Sequence, residues 1–216
     1  MKVIFDLDYT LLDTARFKEK LAEIFSEQDF FDDYDKYFKA EGVNFDYEKY
    51  LEILRADGKI GERQEKIIKF ELEKLMNCLD DYLLPDAENV LKYFQDCGHE
   101  LILITFGNKN WQAEKVKYLS IGRYFDRVIF EENDKSQSEY LKALGQTNDE
   151  VLIINDNIRE AKEMLEILKK GKLCKGEVRL VKGPYSEGEE SQIDNLAELM
   201  PEKSKKPEAT KELYLR

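Results

Sequence analysis

The first ten residues constrain the fold of this chain more than any other stretch. Val3-Ile4-Phe5 is a short apolar run, and Asp6-Leu7-Asp8-Tyr9-Thr10 follows it directly. A short apolar run bounded by polar residues is typical of a buried strand in a parallel sheet. Two carboxylates just beyond the end of such a strand raise one another's pKa unless a cation lies between them. The sequence therefore predicts a buried strand that ends at an acidic, cation-binding site.

Further apolar runs alternate with stretches of helical periodicity. These runs are Leu101 to Ile104, Val128 to Phe130, Val151 to Ile154 and Val178 to Val181. Helices are predicted over 86–96, 111–119 and 158–169, with another that ends at Leu144-Gly145. Strands that alternate with helices of this length are typical of βαβ units. We therefore expect an α/β fold with a Rossmann-like, three-layer core around a parallel sheet.

Residues 15 to 83 carry no strand pattern. Apolar side chains recur there at helical spacing, as Phe17, Leu21, Ile24 and Phe25 and then as Ile68, Leu72, Leu75, Met76 and Leu79. We interpret the aromatic residues between 29 and 50 as the core of a bundle rather than as a ligand cage. The expected organisation is a core domain of residues 1–14 and 84–200, a helical-bundle cap of residues 15–83 and a loosely held C-terminal tail of residues 201–216.

Charge and composition narrow the possible partners and the compartment. The chain has 34 Lys and Arg against 46 Asp and Glu, and this formal net charge of −12 argues against nucleic acid or an anionic membrane as partner. No apolar run approaches the ~18 residues of a membrane span. Cys78, Cys97 and Cys174 lack metal-ligand spacing and fit reduced, buried thiols of a cytoplasmic protein. Nothing in the sequence indicates an oligomeric state.

Polar residues follow the predicted strands at the point where each strand ends. Asp6 and Asp8 follow the first, Thr105 the second and Asp156 the fourth, while Lys135 lies in the loop after the shorter third strand. In open parallel sheets ligands bind beyond the carboxyl ends of the strands. The sequence therefore predicts that these side chains meet at one edge of the sheet.

With these segments in this order, the sequence resembles the haloacid dehalogenase superfamily of phosphatases and phosphotransferases. The matching segments are Asp6 to Thr10, Ile104 to Asn108, Lys135, and Ile154 to Asp156 with Glu160. The resemblance covers residues 1–14 and 84–200. The position of the insert after the first segment is that of the helical cap type of this superfamily.

The resemblance implies a reaction through an aspartyl-phosphate. It assigns Asp6 as the nucleophile that attacks phosphorus, which splits hydrolysis into two displacements. It assigns Asp8 as the group that protonates the leaving oxygen and then takes a proton from the attacking water. An ordinary Asp titrates near ~3.9, so holding that proton at neutral pH requires a raised pKa.

The resemblance also implies a Mg²⁺ cofactor. Asp6, Asp156 and the backbone carbonyl of Asp8 would supply the protein's ligands, because Mg²⁺ prefers a few hard oxygen ligands and keeps several waters. Glu160 lies one helical turn beyond Asp156 and would face the ion through water. Asn155 stands where the superfamily often has Gly or an acid, so the outer shell of the metal is less acidic here.

The remaining predicted site residues hold the phosphoryl group. The Thr105 hydroxyl and the Lys135 ammonium would bind phosphoryl oxygens, where negative charge accumulates during transfer. Lys135 would also relieve repulsion among the carboxylates. Gly107 would let the backbone approach closely, and Asn108 would reach the substrate or the cap.

Simpler roles remain open for several of these residues. Thr105 alone also fits a helix N-cap, Lys135 alone a surface lysine, and Glu160 alone a charge that complements a helix dipole. The loop from Arg55 to Arg63 fits either a substrate-facing cap loop or a solvated basic loop. We expect Trp111 to pack against the sheet.

The expected function is a Mg²⁺-dependent phosphatase that acts on a small phosphorylated metabolite beneath a mobile helical cap. One alternative is phosphotransfer to another hydroxyl, as in a phosphomutase of the same superfamily. Dehalogenation is disfavoured, because the dehalogenase branch lacks a carboxylate at the position of Asp8. A different alternative is a catalytically silent scaffold that binds a partner through the acidic, aromatic insert.

Overall fold

A computed structural model describes residues 1–25, 30–132, 138–171, 175–186 and 192–201 of the chain. The described residues form a six-stranded parallel sheet with strand order β3-β2-β1-β4-β5-β6. Its strands are β1 (Lys2–Phe5), β2 (Glu100–Phe106), β3 (Arg127–Glu131), β4 (Glu150–Asn155), β5 (Lys175–Val181) and β6 (Gln192–Ile193). The predicted Rossmann-like α/β class is confirmed, whereas β6 was not predicted because two residues carry no periodicity.

The core helices cover both faces of this sheet. They are α5 (Ala87–Asp96), α6 (Lys109–Tyr118), α7 (Glu139–Leu144) and α8 (Ile158–Lys169), numbered after four cap helices. Side chains alternate between the two faces of a strand, so Val3 and Phe5 pack in one cluster with α5 and α6 while Ile4 packs in another with α7 and α8. The three layers follow from this alternation, because β1, β2 and β4 bury both of their faces.

The chain between β1 and α5 is helical in its described part. It contains α1 (Thr14–Phe25), α2 (Phe30–Tyr34) with a π-helical turn at Asp35–Lys39, α3 (Tyr47–Ala56), α4 (Glu62–Asn77) and a 3₁₀ turn at Leu79–Tyr82. The apolar stripes predicted for this segment do face inward: Phe17, Leu21 and Phe25 of α1 are buried, as are Ile68 and Leu72 of α4. We call residues 14–82 the cap.

Two antiparallel stretches of backbone join the cap to the sheet side by side. The Asp13 amide donates to the Tyr82 carbonyl at 2.7 Å, and the Leu84 amide donates to the Leu11 carbonyl at 2.8 Å. The chain therefore leaves and rejoins the core at one place, next to the acidic end of β1. Any movement of the cap is guided by these two crossings.

Three expectations need correction or lie outside the described residues. Cys78 and Cys97 are free thiols but exposed rather than buried, since each ends a helix at the surface. Cys174 and the tail beyond Pro201 lie outside the described residues. Within the described residues, no helix combines the length and the apolar composition that crossing a membrane requires.

Candidate active site

The acidic end of β1 lies at the position where the strand order of the sheet reverses. β1 pairs with β2 on one side and with β4 on the other, so Phe5 lies between Leu103 and Ile154 in register. The crevice outside the carboxyl ends of the strands at such a reversal is the usual ligand site of this architecture. A cavity of about 370 Å³ opens there, and Asp6, Asp8 and Asp156 all line it.

A tight turn carries the acidic pair away from the strand. The Leu7 carbonyl accepts hydrogen bonds from the amides of Leu11 and Leu12, each at 2.9 Å. Tyr9 in this turn has a left-handed backbone with φ of 59°, and its amide donates to the Thr14 hydroxyl at 3.1 Å. The turn therefore aims the side chains of Asp6 and Asp8 into the cavity rather than back along the sheet.

Hydrogen bonds of the Asp6 and Asp156 amides position the two residues at the adjacent ends of β1 and β4. Both are buried, with relative exposures of 7% and 2%. The Asp6 amide donates to the Ile154 carbonyl at 3.0 Å, and the Asp156 amide donates to the buried Thr10 hydroxyl at 3.0 Å. A Cβ built on Gly183 would lie 3.0 Å from the Asp156 Cβ, so the chain after β5 closes tightly over this carboxylate.

Thr105 is fully buried at the end of β2, and its hydroxyl has no hydrogen-bond partner among the described residues. A buried hydroxyl without a partner is energetically unfavourable and is common where a ligand is bound. Thr105 is not a helix cap, because the Asn108 side chain caps α6 by accepting from the Trp111 amide at 3.0 Å. The hydroxyl is thus available to donate to a bound oxygen.

Asp8 forms a partly buried ion pair that the sequence did not predict. The Lys115 ammonium lies 2.7 Å from Asp8 Oδ2 and 2.8 Å from Oδ1, and the Thr14 hydroxyl donates to Oδ1 at 2.8 Å. Burial by itself raises the pKa of the Asp8 carboxyl, but the charge of Lys115 and the hydrogen bonds from Lys115, Gln112 and Thr14 outweigh it and lower the pKa to about 2. This direction is opposite to the raised pKa expected for a group that holds a proton at neutral pH.

Gly107 makes room for the third group that binds Asp8. The Gln112 amide nitrogen donates to Asp8 Oδ2 at 3.0 Å and to the Phe106 carbonyl at 2.6 Å. Gly107 has φ of 140°, and a Cβ there would lie 2.7 Å from that nitrogen. A glycine is therefore required here both by the backbone conformation and by the close approach of Gln112.

The residues around Asp156 form the start of α8. The Asn155 side-chain oxygen accepts from the Asn157 amide at 2.7 Å, and Asn157 caps α8 by accepting from the amides of Arg159 and Glu160. Asn155 therefore stabilises the turn that presents Asp156. Glu160 lies in the first turn of α8 and accepts a hydrogen bond from the Asn157 side chain at 3.2 Å. It also lines the cavity, so it can both complement the helix dipole and face a bound ion.

The cap closes the other side of the cavity. Asn44 donates to the Glu132 carbonyl at 2.8 Å, and Asn108 donates to the Asp46 carboxylate at 3.1 Å, so hydrogen bonds link cap and core at the cavity mouth. Trp111, which we expected against the sheet, belongs to the same core cluster as Phe5 and Leu103 and also makes aromatic ring contacts with the cap. These contacts are with Phe17, Phe45 and Tyr47.

The predicted site residues are only partly gathered by the described structure. Asp6, Asp8, Gly107, Asn108, Asp156 and Glu160 line one cavity, and Thr105 lies buried at the same edge of the sheet. Lys135 lies outside the described residues, so its role stays a prediction. None of the described lining residues falls between Arg55 and Arg63, and Arg55 pairs with Glu65 at 3.2 Å, which fits the solvated loop.

Lys115, Gln112 and Thr14 were missed by sequence reasoning. All three are buried polar residues on helices, and two of them lie on α6, one turn apart. A signal was present, because the buried face of α6 combines Trp111 with Gln112 and Lys115 where an amphipathic helix would carry aliphatic residues. Polar residues on the inner face of a helix next to a predicted acidic site are candidates to pair with it.

The donor set of the cavity fits a hard divalent cation. Among the described residues no group of three or more His, Cys, Asp or Glu side chains is arranged to hold a metal ion. Asp6 and Asp156 nevertheless contribute two buried carboxylates at one edge, and the Asp8 backbone carbonyl would supply a third ligand. Mg²⁺ is bound in proteins through one or two carboxylates with several retained waters, so two carboxylates and a carbonyl are sufficient.

Parallel-sheet proteins with an acidic cavity at the switch point and a helical cap above it form a recognisable class, and the geometry described above places the chain in that class. A family model described as haloacid dehalogenase-like hydrolase matches residues 3–165. The chain belongs to this family. A search of curated proteins gives no match.

Solved structures show the same fold at low identity. One is described as a haloacid dehalogenase-like hydrolase of Burkholderia xenovorans LB400, with 14% identity, a TM-score of 0.67 and coverage of 91% of this chain and 93% of that chain. Another is described as a β-phosphoglucomutase of Thermotoga maritima, with 19% identity, a TM-score of 0.58 and coverage of 92% and 96%. A third, described as the hydrolase YfnB of Bacillus subtilis bound to magnesium, has 16% identity, a TM-score of 0.53 and coverage of 92% and 96%.

Proposed function

We propose that this protein is a Mg²⁺-dependent phosphatase that hydrolyses a small phosphorylated metabolite through an aspartyl-phosphate on Asp6. One observation carries the proposal: two buried carboxylates, Asp6 and Asp156, and the unpartnered hydroxyl of Thr105 lie at one sheet edge with the Asp8 carboxylate. Such a set supplies a nucleophile, a proton carrier and a donor for the phosphoryl oxygens, which are the parts that phosphoryl transfer requires.

In the first half of the reaction, an Asp6 carboxylate oxygen attacks phosphorus and the bond from phosphorus to the leaving oxygen breaks. Asp8 gives its proton to that oxygen, and the Thr105 hydroxyl donates to a phosphoryl oxygen. Asp8 must be protonated for this step. A bound phosphate dianion raises the pKa of a neighbouring carboxyl, which opposes the effect of Lys115.

In the second half, water attacks phosphorus and the bond from phosphorus to Asp6 breaks. Asp8 accepts the proton from that water and is returned to its protonated form. The ion pair with Lys115 and the hydrogen bond from Gln112 favour the ionised carboxylate that this half of the cycle uses as a base.

The Mg²⁺ ion would be held by Asp6, Asp156 and the carbonyl of Asp8. When bound, it supplies positive charge that offsets the repulsion between these carboxylates and the incoming phosphate. Support comes from the oxygen-only donors at the strand ends and from the magnesium named for the related Bacillus subtilis structure. Lys135 would add a further positive charge, as predicted from its position in the sequence.

The carboxylate of Asp8 favours phosphoryl transfer over dehalogenation. A halide leaves as a stable anion and needs no acid, whereas an alkoxide leaving group needs a proton. Hydrolysis and transfer to a second hydroxyl use the same carboxylates, and a structural relative is described as a β-phosphoglucomutase. We favour hydrolysis, and the products formed from a sugar phosphate distinguish the two reactions.

The Asp6→Asn variant provides the first test. We expect it to fold with an unchanged far-ultraviolet circular dichroism spectrum and to lose hydrolysis of p-nitrophenyl phosphate. Asp81→Asn is the matched control, since Asp81 is exposed on the 3₁₀ turn of the cap. Full activity of Asp6→Asn would overturn the proposal, as would an inactive wild-type protein in the presence of Mg²⁺ and a range of phosphate esters.

The metal is tested without any turnover. A ligand that binds only the native state raises the unfolding temperature. We expect millimolar Mg²⁺ to stabilise the wild-type protein by about 1–2 kcal/mol, which corresponds to an increase of a few degrees in its unfolding temperature. The increase should be lost in Asp156→Asn and kept in Asp81→Asn. An equal increase in the unfolding temperature of Asp156→Asn would show that Mg²⁺ binds at a different site.

A further inference from the structure

Lys18 is a second lysine in the cavity, and it belongs to the cap. It lies on α1, is half-buried and lines the same cavity as Asp6 and Asp8. Its ammonium lies 5.0 Å from the centre of the Tyr34 ring and 5.6 Å from the centre of the Tyr9 ring. Two aromatic rings from different parts of the chain therefore fix the position of one cation at the cavity wall.

The charge of Lys18 is not compensated by an acidic side chain. Within the described part of the chain, Lys18 makes no ion pair, whereas the other lysine of the cavity, Lys115, pairs with Asp8. Neighbouring lysines on the cap surface are paired, as Lys20 is with Glu23. An ammonium stabilised by the faces of tyrosine rings keeps its N–H donors available for an oxygen ligand.

The surrounding residues preserve this arrangement. Tyr9 adopts a left-handed backbone in the turn that follows Asp8, and its ring lies next to the Lys18 ammonium. The Tyr9 ring also contacts Tyr185, edge to face at 5.9 Å between ring centroids. Core and cap thus both contribute to the cradle, so Lys18 takes this position when the cap lies over the site.

We propose that Lys18 selects substrates that carry a second anionic group, a carboxylate or a phosphate, at the end remote from the phosphoryl group that Asp6 attacks. The proposal rests on the proposed function for the place of that phosphoryl group. A phosphoryl group at the strand ends leaves the remainder of a small substrate directed at the cap, and about 370 Å³ holds a phosphate with a short carbon chain. The chain has a net charge of −12, so a cation aimed inward without a carboxylate marks where an anion is bound.

Binding of inert phosphonates tests the inference without turnover. Ethylphosphonate, phosphonoacetate and 1,2-ethylenediphosphonate present the same phosphonate with a methyl, a carboxylate or a second phosphonate at the far end. Their dissociation constants are measured by titration calorimetry with Mg²⁺ on the wild-type protein, Lys18→Met and Lys20→Met. Met keeps the apolar stem of Lys, and Lys20 is an exposed lysine on the same helix.

We expect phosphonoacetate or ethylenediphosphonate to bind about tenfold more tightly than ethylphosphonate to the wild-type protein and to Lys20→Met, as a charged hydrogen bond predicts. The advantage should fall below about threefold in Lys18→Met and return in part in Lys18→Arg. The ligand with the larger gain in affinity over ethylphosphonate identifies the anion that the site prefers. Equal binding of all three ligands by the wild-type protein, or an advantage that survives in Lys18→Met, would overturn the inference.

Hydrolysis of matched esters separates this inference from the proposed function. Ethyl phosphate and carboxymethyl phosphate are compared by kcat/KM on the same variants. A preference for the carboxylated ester that disappears in Lys18→Met supports both proposals. A phosphonate preference without any hydrolysis supports the Lys18 site and overturns the phosphatase, whereas hydrolysis without preference overturns the Lys18 site alone.

Discussion

The Lys115 ammonium lies 2.7 Å from the Asp8 carboxylate, and it links the inner face of α6 to the turn that follows β1. The two residues are 107 positions apart in the sequence. Lys115 is almost fully buried at 3% exposure, whereas the Asp8 side chain is 23% exposed to the cavity. The pair therefore fixes one candidate catalytic carboxylate through a residue that does not itself lie at a strand end.

Removing one partner of this pair should destabilise the fold more than removing both. Asp8→Asn leaves a buried ammonium without its carboxylate, and breaking buried pairs costs about 3–5 kcal/mol. Lys115→Met leaves Asp8 with two hydrogen-bond donors, Gln112 and Thr14, so its effect should be smaller. Urea unfolding of both single variants and the double variant gives the coupling energy, for which we expect about 1–3 kcal/mol. If the losses of unfolding free energy in the two single variants add up to the loss in the double variant, the ion pair does not stabilise the protein.

The pKa of Asp8 predicts a stability change at acid pH. Its folded-state value of about 2 lies below the ordinary value, so the carboxylate stabilises the fold above pH ~4 and this contribution is lost as the pH falls towards ~2. The difference in unfolding free energy between the wild-type protein and Asp8→Asn should shrink by about 2 kcal/mol over this range. Urea titrations at pH 6, 4, 3 and 2 measure it, with Asp81→Asn as a control. A constant difference would contradict the lowered pKa.

Gly107→Ala should reduce activity by displacing Gln112 from Asp8. The new Cβ would lie 2.7 Å from the Gln112 amide nitrogen, in a backbone conformation that residues other than glycine rarely adopt. Gly98→Ala is the matched control, because Gly98 also has a positive φ of 76° but open space around its Cβ. Both variants should lose about 1–3 kcal/mol of unfolding free energy from backbone strain. Only Gly107→Ala should also lower kcat/KM, and equal activity of the two variants would argue against a role for Gln112.

Asn44→Ala should weaken closure of the cap. The Asn44 side chain donates to the Glu132 carbonyl of the core at 2.8 Å, and a lost hydrogen bond of this kind costs about 0.5–1.5 kcal/mol. We expect KM for p-nitrophenyl phosphate to rise about two- to tenfold, with a smaller change in kcat. Asn77→Ala removes a hydrogen bond of the same kind, to the Glu73 carbonyl, but within the cap. A matching rise in KM in Asn77→Ala would show a general effect on the cap rather than on closure.

The fold was predictable from local pattern to a large extent. The apolar runs at Leu101 to Ile104 and Val151 to Ile154 became β2 and β4, because a strand buried on both faces must be apolar throughout. The apolar stripe from Ile68 to Leu79 faces inward because an amphipathic helix buries its apolar side against the core. The strand β6 was not predictable, since its two residues depend on a neighbouring strand for their hydrogen bonds.

The candidate site was predictable only where its residues follow a strand. Asp6, Asp8, Thr105 and Asp156 reach one edge because parallel strands end on the same side of the sheet. Lys115 and Gln112 lie within a helix, and no local rule indicates which neighbour a buried polar residue on a helix will bind. The lowered pKa of Asp8 depends on Lys115, Gln112 and Thr14, which only packing brings to it, so its direction could not be predicted from the sequence.

The sequence by itself determined the parallel sheet, the inserted cap and the acidic strand ends, because hydrophobic periodicity and short polar motifs are local properties of the chain. Tertiary structure alone decided where the two lysines that line the cavity in the described residues lie. Lys115 reaches Asp8 across 107 positions, and Lys18 is held between rings of the core and the cap. Ion pairing and ring contacts act over a few ångströms in space, and packing rather than spacing along the chain brings such groups together.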